Sequence, residues 1–325
     1  MRIIPTVICV PYLITTIIMF SLRISKALIP RAYIGSSRRC LSSTLSLSHL
    51  QQQQQYLLHR TSPRAMSSQA LSSTTSFDMT PNDLYKAVDT NADKNWKGND
   101  ISNAMYSLYT ADAVCFDVDS TVIAEEGIDI LADYLGKGKE VAELTRKAMD
   151  GATKFEDALQ MRLDLMRPAK QQIESCLRDH PLVLTPGVQT LMKTLQEKDI
   201  DIWLVSGGFR IMIEPVAQQL DIPKENIVAN TILFDDSTGA YTGFDPSEPT
   251  SRDMGKPKAL EQIKSLKQYE TMVMVGDGAT DAQAKPPAKA FIGFGGVITR
   301  EAVQAKADWF VTDFDDMTKV VQFRP

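Results

Sequence analysis

Acidic residues are absent from the first part of the chain. The first acid of the 325-residue sequence is Asp78, whereas eight of the 35 Lys and Arg residues precede it. The rest of the chain therefore has 27 basic residues against all 40 acidic ones, a net charge of about −13. A body this acidic is a poor ligand for nucleic acid, so we expect no nucleic-acid partner.

Cysteine is also scarce. Only four cysteines occur, and Cys9 and Cys40 lie in the acid-free segment. The other two, Cys115 and Cys176, form neither a disulfide framework nor a zinc spacing. Cys115 lies in an apolar run, which favours a small core residue. The pattern indicates a reducing compartment.

The acid-free segment has the composition of a targeting leader, which we place at residues 1–80 and expect to be disordered. Residues 3–22 are apolar enough for a secretory signal or a short membrane anchor. Residues 23–76 are rich in Ser and Arg, as organelle transit peptides are. A signal-like segment followed by a transit-like segment favours import into a plastid with extra membranes over import into a mitochondrion. If translation starts at Met66 instead, we expect a cytoplasmic protein. We expect no stable membrane insertion of the mature protein.

Two carboxylates follow a short apolar run, residues 114–116. Asp117 and Asp119 are at i and i+2, so their side chains point the same way on an extended chain. Adjacent acids repel each other, and a divalent metal bound by oxygen atoms can compensate them. Such a pair suggests one acid as nucleophile and the other as proton shuttle. The motif alone leaves open an ordinary Asp-rich turn.

Three further segments carry weaker signals. The apolar run 271–275 precedes Asp277, which has a glycine on each side and Asp281 four residues later. The run 202–205 precedes Ser206, Gly207 and Gly208, a small-residue loop that could cradle a phosphate. Lys256 offers a cation at a helix start. A turn or a solvated surface charge would explain each of these alone.

Apolar strands alternate with amphipathic helices, which predicts an α/β fold with a Rossmann-like doubly wound parallel sheet. Ligands of such sheets bind at the carboxyl ends of the strands, where the motif residues fall. Residues 188–195 have helical periodicity, and Thr185 is the expected cap with Pro186 at the first helical position.

Two insertions interrupt this alternation. The segment 125–184 has helical patterns and no clear strand, which predicts a small helical cap. Residues 232–242 have the form of a β-hairpin, which we interpret as a short flap. The predicted organisation is a leader over 1–80, core over 81–124, cap over 125–184 and the remaining core over 185–325.

In the order of these motifs the chain resembles the haloacid dehalogenase (HAD) superfamily, most closely its Mg²⁺-dependent phosphatases of O-phospho-L-serine. The resemblance covers about residues 114–314 and implies a HAD core and the final step of L-serine biosynthesis. The segments that carry it are Phe116–Ile123, Glu125–Asp129, Ser206–Arg210, Gly276–Asp281 and Phe291–Gly296.

The resemblance also implies roles for the carboxylates. Asp117 is the expected nucleophile, which becomes an aspartyl phosphate. Asp119 is expected to protonate the leaving hydroxyl and then to activate water. The carboxylates of Asp117 and Asp277 and the main-chain carbonyl of Asp119 are the expected Mg²⁺ ligands, and Asp281 would orient metal-bound water.

The remaining matches concern the substrate. The phosphoryl group is expected to contact Ser206, Gly207 and Lys256, with support from Gly208. In the expected cap, Glu126 faces the ammonium group and Arg162 the carboxylate of the substrate. Without the resemblance, a helix-start acid and a surface charge would explain these two. The other expected substrate contacts are Met149, Thr280 and Arg300. Asp150 stands where the family often has Gly.

Two other functions remain open. The first is a relaxed phosphatase for small phosphoesters such as phosphohomoserine. The second is a non-catalytic binding protein on this fold, which would require the loss of Asp117, Asp119, Lys256 or Asp277, and none is missing. Dehalogenases need no second acid two residues after the first, so Asp119 favours the phosphatase form. Oligomeric state cannot be predicted from these patterns.

Overall fold

The structure is a computed structural model that describes residues 79–88, 96–149 and 154–325, without the side chains of 148 and 149. These residues belong to one compact unit, Thr75–Pro325. Residues 1–78 of the predicted leader and Asp150 lie outside the described residues. Among the residues that are described, no helix has the length and apolarity to cross a bilayer.

A six-stranded sheet forms the centre of the fold. Its strands are β1 Ala113–Phe116, β2 Asp201–Phe209, β3 Ile227–Asn230, β6 Met272–Gly276, β7 Ala290–Phe294 and β8 Trp309–Val311. Their order in the sheet is β3-β2-β1-β6-β7-β8, and every neighbouring pair is parallel. The predicted α/β class and parallel sheet are confirmed.

Helices cover both faces of the sheet. Because successive side chains of a strand point to opposite faces, Val114 and Phe116 enter one hydrophobic cluster while Ala113 and Cys115 enter another. The helices of the core are α1 Pro81–Val88, α2 Ile101–Tyr109, α7 Val188–Glu197, α8 Arg210–Gln219, α9 Gly255–Lys267, α10 Ala279–Gln283, α11 Glu301–Gln304 and α12 Phe314–Gln322.

Among the described residues, four helices lie between β1 and α7. They are α3 Gly127–Tyr134, α4 Gly138–Met149, α5 Phe155–Met166 and α6 Lys170–Asp179. Their apolar side chains form a third cluster, which also includes Phe209 and Met212 of the core. Main-chain bonds between 122–124 and 183–185 join the two ends of this segment. The boundaries of the cap stay a prediction.

An antiparallel hairpin follows β3. Strands β4 (Ile232–Phe234) and β5 (Tyr241–Phe244) pair with each other, and Asp235 stabilises the turn by accepting from the main-chain N–H groups of Ser237 and Thr238. The hairpin therefore forms where the sequence predicts it. Its role as a flap stays a prediction.

Two local predictions were wrong. The segment Ser206–Gly208 is not a loop, because β2 continues to Phe209 with an irregular register between Val205 and Phe209. Thr185 is not a helix cap, because α7 begins at Val188 after Gly187, which adopts φ 83°. Glycine adopts the left-handed conformation without a steric cost, and this conformation at Gly187 moves the helix start past the expected cap. Strand β3 and helices α1 and α2 were not predicted.

Candidate active site

Asp117 lies directly after β1, at the carboxyl edge of the sheet. Its Oδ1 accepts a hydrogen bond from the main-chain N–H of Val118 at 2.8 Å and contacts the Lys256 ammonium at 2.7 Å. The chain then turns sharply, since Ser120 adopts the left-handed conformation at φ 53°. One carboxylate oxygen of Asp117 is thus held in place, as a nucleophile requires.

The second acid, Asp119, has different partners. Its Oδ1 accepts from the main-chain N–H of Gly127 at 2.7 Å, and its Oδ2 accepts from the Ser206 hydroxyl at 3.3 Å. Burial, followed by the charges of Glu126 and Asp117, raises the pKa of Asp119 to about 7. A carboxyl group with this pKa can hold a proton near neutrality, as a general acid requires.

Glycine is required close to Asp119. A Cβ on Gly208 would lie 2.8 Å from Asp119 Oδ2 and 3.0 Å from Ser206 Oγ. The Ser206 hydroxyl also accepts from the Gly208 main-chain N–H at 2.8 Å. The extended small-residue segment therefore packs directly against the second acid.

Lys256 provides a buried cation at the beginning of α9. Its ammonium lies 2.7 Å from Asp117 Oδ1 and 2.5 Å from Asp281 Oδ1. Burial opposes the charged form, but Asp117 and Asp281 together hold the pKa of Lys256 above its ordinary value. The preceding Gly255 fits because a Cβ there would lie 2.4 Å from the Pro249 carbonyl oxygen.

Three carboxylates converge beside this cation. Oxygen atoms of Asp117, Asp277 and Asp281 all lie within 4.8 Å of one another. Burial, followed by the charge of Asp117, raises the pKa of Asp281, whose Oδ2 accepts from the Gly278 N–H at 2.8 Å. Hard divalent cations prefer such oxygen donors, so the cluster fits an ion of this kind.

The position of Asp281 in this cluster depends on a glycine at the end of β6, which the sequence did not indicate. A Cβ on Gly276 would lie 2.2 Å from Asp281 Oδ2, so the end of β6 must be glycine for this carboxylate to fit. The predicted metal contact through the main-chain carbonyl of Asp119 stays a prediction.

Three further charged side chains, Glu126, Arg162 and Arg300, line the same cavity. The Ser120 hydroxyl donates to Glu126 Oε1 at 2.7 Å, and burial is the main cause that raises the pKa of Glu126. Burial lowers the pKa of Arg162, while the charges of Asp129 and Glu126 oppose that shift. Arg300 lies 4.0 Å from Glu126, donates to the Asp277 carbonyl at 3.0 Å and contacts the Asp277 carboxylate.

The cavity that these residues line has a volume of about 360 Å³. Ser206 and Asp281 lie just behind its wall, where they contact Asp119 and Lys256. The side chain of Met149 lies outside the described residues. The predicted residues that line the cavity are Asp117, Asp119, Glu126, Arg162, Gly207, Gly208, Lys256, Asp277, Thr280 and Arg300.

Other residues that line the cavity were not predicted as site residues. Phe155 and Leu159 belong to a helical apolar stripe, which the sequence could not distinguish from core packing. Thr250 and Arg252 carry no motif. The Thr250 hydroxyl donates to the side-chain oxygen of Asn230, whose amide donates to the Gly207 carbonyl at 2.7 Å.

Comparison with known proteins places this site in a family context. The family model described as haloacid dehalogenase-like hydrolase matches residues 114–284. Phosphoserine phosphatase of Bos taurus is 49% identical over 208 residues, which cover 64% of this chain and 92% of that protein. The chloroplastic phosphoserine phosphatase of Arabidopsis thaliana is 51% identical over 210 residues, 64% of this chain and 71% of that protein.

A solved structure shares the fold. It is a phospho-aspartyl intermediate analogue of phosphoserine phosphatase, and it is 28% identical with a TM-score of 0.54. The match covers 64% of this chain and 97% of that one. The likeness therefore extends over almost the whole of that smaller protein.

Proposed function

The chain belongs to the haloacid dehalogenase-like hydrolases and, within them, to the phosphoserine phosphatases, and we propose that it hydrolyses O-phospho-L-serine to L-serine and phosphate. The observation that carries the proposal is that one cavity is lined both by Asp117, Asp119 and Lys256 and by Glu126 and Arg162. The first three residues suit a phosphoryl group, and the other two suit the charged groups of an amino acid. The reaction fits the final step of L-serine biosynthesis.

In the proposed mechanism Asp117 attacks phosphorus. A bond forms between an Asp117 carboxylate oxygen and phosphorus, while the bond from phosphorus to the serine oxygen breaks. Asp119 gives its proton to the departing oxygen, which its raised pKa supports. In the second step Asp119 removes a proton from water, which attacks the aspartyl phosphate and releases phosphate and free Asp117.

The transferring group needs positive charge and hydrogen-bond donors. Lys256 provides the charge, and its contacts with Asp117 and Asp281 fix the ammonium beside the nucleophile. We assign Ser206, Gly207 and Thr280 as further phosphoryl contacts, with Gly208 as the residue that permits close packing against Asp119.

We propose Mg²⁺ as the metal cofactor of this site. The carboxylates of Asp117 and Asp277 and the main-chain carbonyl of Asp119 would hold it, and the all-oxygen cluster of acids supports this assignment. When bound there, Mg²⁺ would neutralise charge on the phosphoryl group. Asp281 would act indirectly, through the ion pair that fixes the ammonium of Lys256.

Charged residues of the cavity lining would select the substrate. Glu126 would bind the ammonium group, and the guanidinium of Arg162 would bind the carboxylate in bidentate fashion. The cavity lining supports both assignments, and Arg300 beside Glu126 lies close enough to contribute. We include Met149 as an apolar contact and residues 125–184 as the cap that carries these groups.

We expect Arg162→Ala to impair turnover of L-phosphoserine but hardly that of phosphoethanolamine, which has no carboxylate. A charge-assisted bidentate contact in a closed site contributes about 2–4 kcal/mol, or about 30- to 1000-fold in kcat/KM. Glu126→Gln should reduce turnover of both substrates, since both carry an ammonium group. Steady-state kinetics of the two variants on the two substrates, together with 3-phosphoglycerate, which lacks an ammonium group, measures the difference.

An equal loss on every phosphoester would contradict this assignment. Arg162 would then hold the cap in place instead of binding the substrate carboxylate. The matched control is Arg178→Ala, which removes an exposed cap arginine whose ion pair is with Asp179. This substitution should leave kcat/KM unchanged for both substrates.

We also propose that residues 1–80 direct the protein to an organelle, with a plastid favoured over a mitochondrion. The acid-free composition and the chloroplastic relative support this proposal. A fusion of residues 1–80 to a fluorescent protein should enter the organelle and lose the leader, with the mature end between about residues 64 and 78. A diffuse cytosolic signal from the uncleaved fusion would refute it.

A further inference from the structure

Tyr241, at the first position of β5, connects the hairpin to the cap helix α5. Its side chain is buried, with only 6% of the residue exposed. The Gln160 amide donates to the Tyr241 hydroxyl at 3.3 Å, and this hydroxyl donates to Asp164 Oδ1 at 3.4 Å. Gln160 also donates to Asp164 Oδ1 at 2.8 Å, which closes a triangle of three polar groups.

The residues that contact Tyr241 lie on the side of α5 away from the cavity. An α-helix turns about 100° per residue, so Gln160 and Asp164, each two residues from Arg162, lie about 160° around the helix from it. Phe155, Leu159 and Arg162 line the cavity. Helix α5 is therefore placed between the substrate site on one side and the hairpin on the other.

Other contacts fix the same end of the helix to the hairpin. The guanidinium of Arg167, just after α5, lies over the Tyr241 ring at 5.7 Å from its centre. The main-chain N–H of Lys170 donates to the Gly239 carbonyl in the hairpin turn at 2.9 Å. Tyr241 and Ile232 also enter the apolar cluster that contains Leu159 and Leu163.

We infer that Tyr241 is a positioning residue for substrate recognition, which holds α5 in the orientation that directs Arg162 at the substrate carboxylate. The inference rests on the proposed function, because it gives Arg162 that task. It assigns the hairpin a role that requires no contact with the substrate. Binding groups must be held to within a fraction of an ångström, so support from behind the helix determines how well Arg162 works.

The alternative is that Tyr241 only packs the hairpin against the cap. A packing role lowers stability and affects every substrate alike, whether or not Arg162 is present. A positioning role acts through Arg162, so its effect should disappear when Arg162 is removed. A double-mutant cycle separates the two roles.

The experiment measures kcat and KM of the full chain with Mg²⁺ on L-phosphoserine and on phosphoethanolamine. The variants are Tyr241→Phe and Tyr241→Ala, each with Arg162 intact and with Arg162→Ala. We expect Tyr241→Ala to raise KM for L-phosphoserine about tenfold with kcat changed less than about twofold, since a displacement of ~1 Å can cost up to ~100-fold. Tyr241→Phe keeps the ring and should raise KM only about two- to fourfold.

Phosphoethanolamine kinetics should change by less than about twofold in all Tyr241 variants, and so should L-phosphoserine kinetics when Arg162→Ala is already present. The matched control is Tyr134→Phe, which removes another cap hydroxyl, one that donates to Asp179 of α6 at 3.3 Å. Tyr134→Phe should leave kcat and KM unchanged for both substrates. If Tyr241→Ala fails to fold, the Tyr241→Phe cycle gives the same comparison.

Two results would overturn the inference. Equal losses on both substrates, or a loss that persists in the Arg162→Ala background, would show that Tyr241 only packs the cap. Unchanged kinetics in Tyr241→Ala with a strong and selective Arg162→Ala effect would overturn this inference alone and leave the proposed function intact. If Arg162→Ala is itself not selective, substrate recognition by Arg162 fails and this inference fails with it.

Discussion

Asp117→Asn should abolish turnover while leaving the fold intact. An amide is nearly isosteric with the carboxylate but is a far weaker nucleophile, so kcat on L-phosphoserine should fall at least about 10⁴-fold, as it does when a catalytic unit is disabled. The amide oxygen can still accept from Val118 and Lys256, and Lys256 keeps its contact with Asp281. Circular dichroism and the melting temperature test the fold.

Chemical trapping identifies the nucleophile independently of the loss of activity. Acid quenching of the wild-type protein during turnover of labelled substrate should yield one phosphorylated residue, Asp117. An acyl phosphate is cleaved by hydroxylamine, whereas a phosphoserine adduct is not. A hydroxylamine-resistant adduct, or labelled Asp117→Asn protein, would contradict the assignment.

Asp119→Asn should reduce kcat on L-phosphoserine by about 10²- to 10⁴-fold, because the serine alkoxide is a poor leaving group without a proton donor. The first step should be nearly normal with p-nitrophenyl phosphate, whose leaving group needs no proton. Hydrolysis of the aspartyl phosphate still lacks its base, so a burst of one nitrophenol per protein should precede slow turnover. Stopped-flow absorbance measures this burst.

The hydrogen bond that Asp119 accepts from Gly127 provides a control for this variant. The amide oxygen can still accept from Gly127, so Asp119→Asn should preserve the local structure. Asp119→Ala removes that bond and the proton donor together. If Asp119→Asn slows the burst as much as it slows steady turnover, Asp119 is not the acid of the first step.

The proximity of the acids in the candidate site could be predicted from the sequence because their signals are local. Asp117 and Asp277 directly follow buried strands, and neighbouring parallel strands bring their carboxyl ends to the same edge of the sheet. The fold class followed from the same alternation of strands and helices. Ser206 follows the apolar run 202–205 in the same way, whereas the sequence placed Lys256 only at a helix start.

Features that depend on packing between distant segments could not be predicted. Gln160 and Tyr241 are 81 residues apart, and no pattern in either segment indicates that they meet. The contact of Thr250 with Asn230 depends likewise on how the short 3-10 helix Pro249–Ser251 packs against the end of β3. The wrong helix start at Thr185 has a different cause, since the left-handed backbone of Gly187 overrode a favourable capping pattern.

The central claim is that the protein hydrolyses an amino-acid phosphate in this cavity and recognises the phosphate together with the ammonium and carboxylate groups of the substrate. The most direct measurement is kcat/KM of the full chain with Mg²⁺ on L-phosphoserine, phosphohomoserine, phosphoethanolamine and 3-phosphoglycerate, from the rate of phosphate release. The account predicts turnover of L-phosphoserine that exceeds those of phosphoethanolamine and 3-phosphoglycerate by at least about 30-fold each, since each of these lacks one charged group. Equal rates on all four substrates, or no release of phosphate from L-phosphoserine, would contradict it.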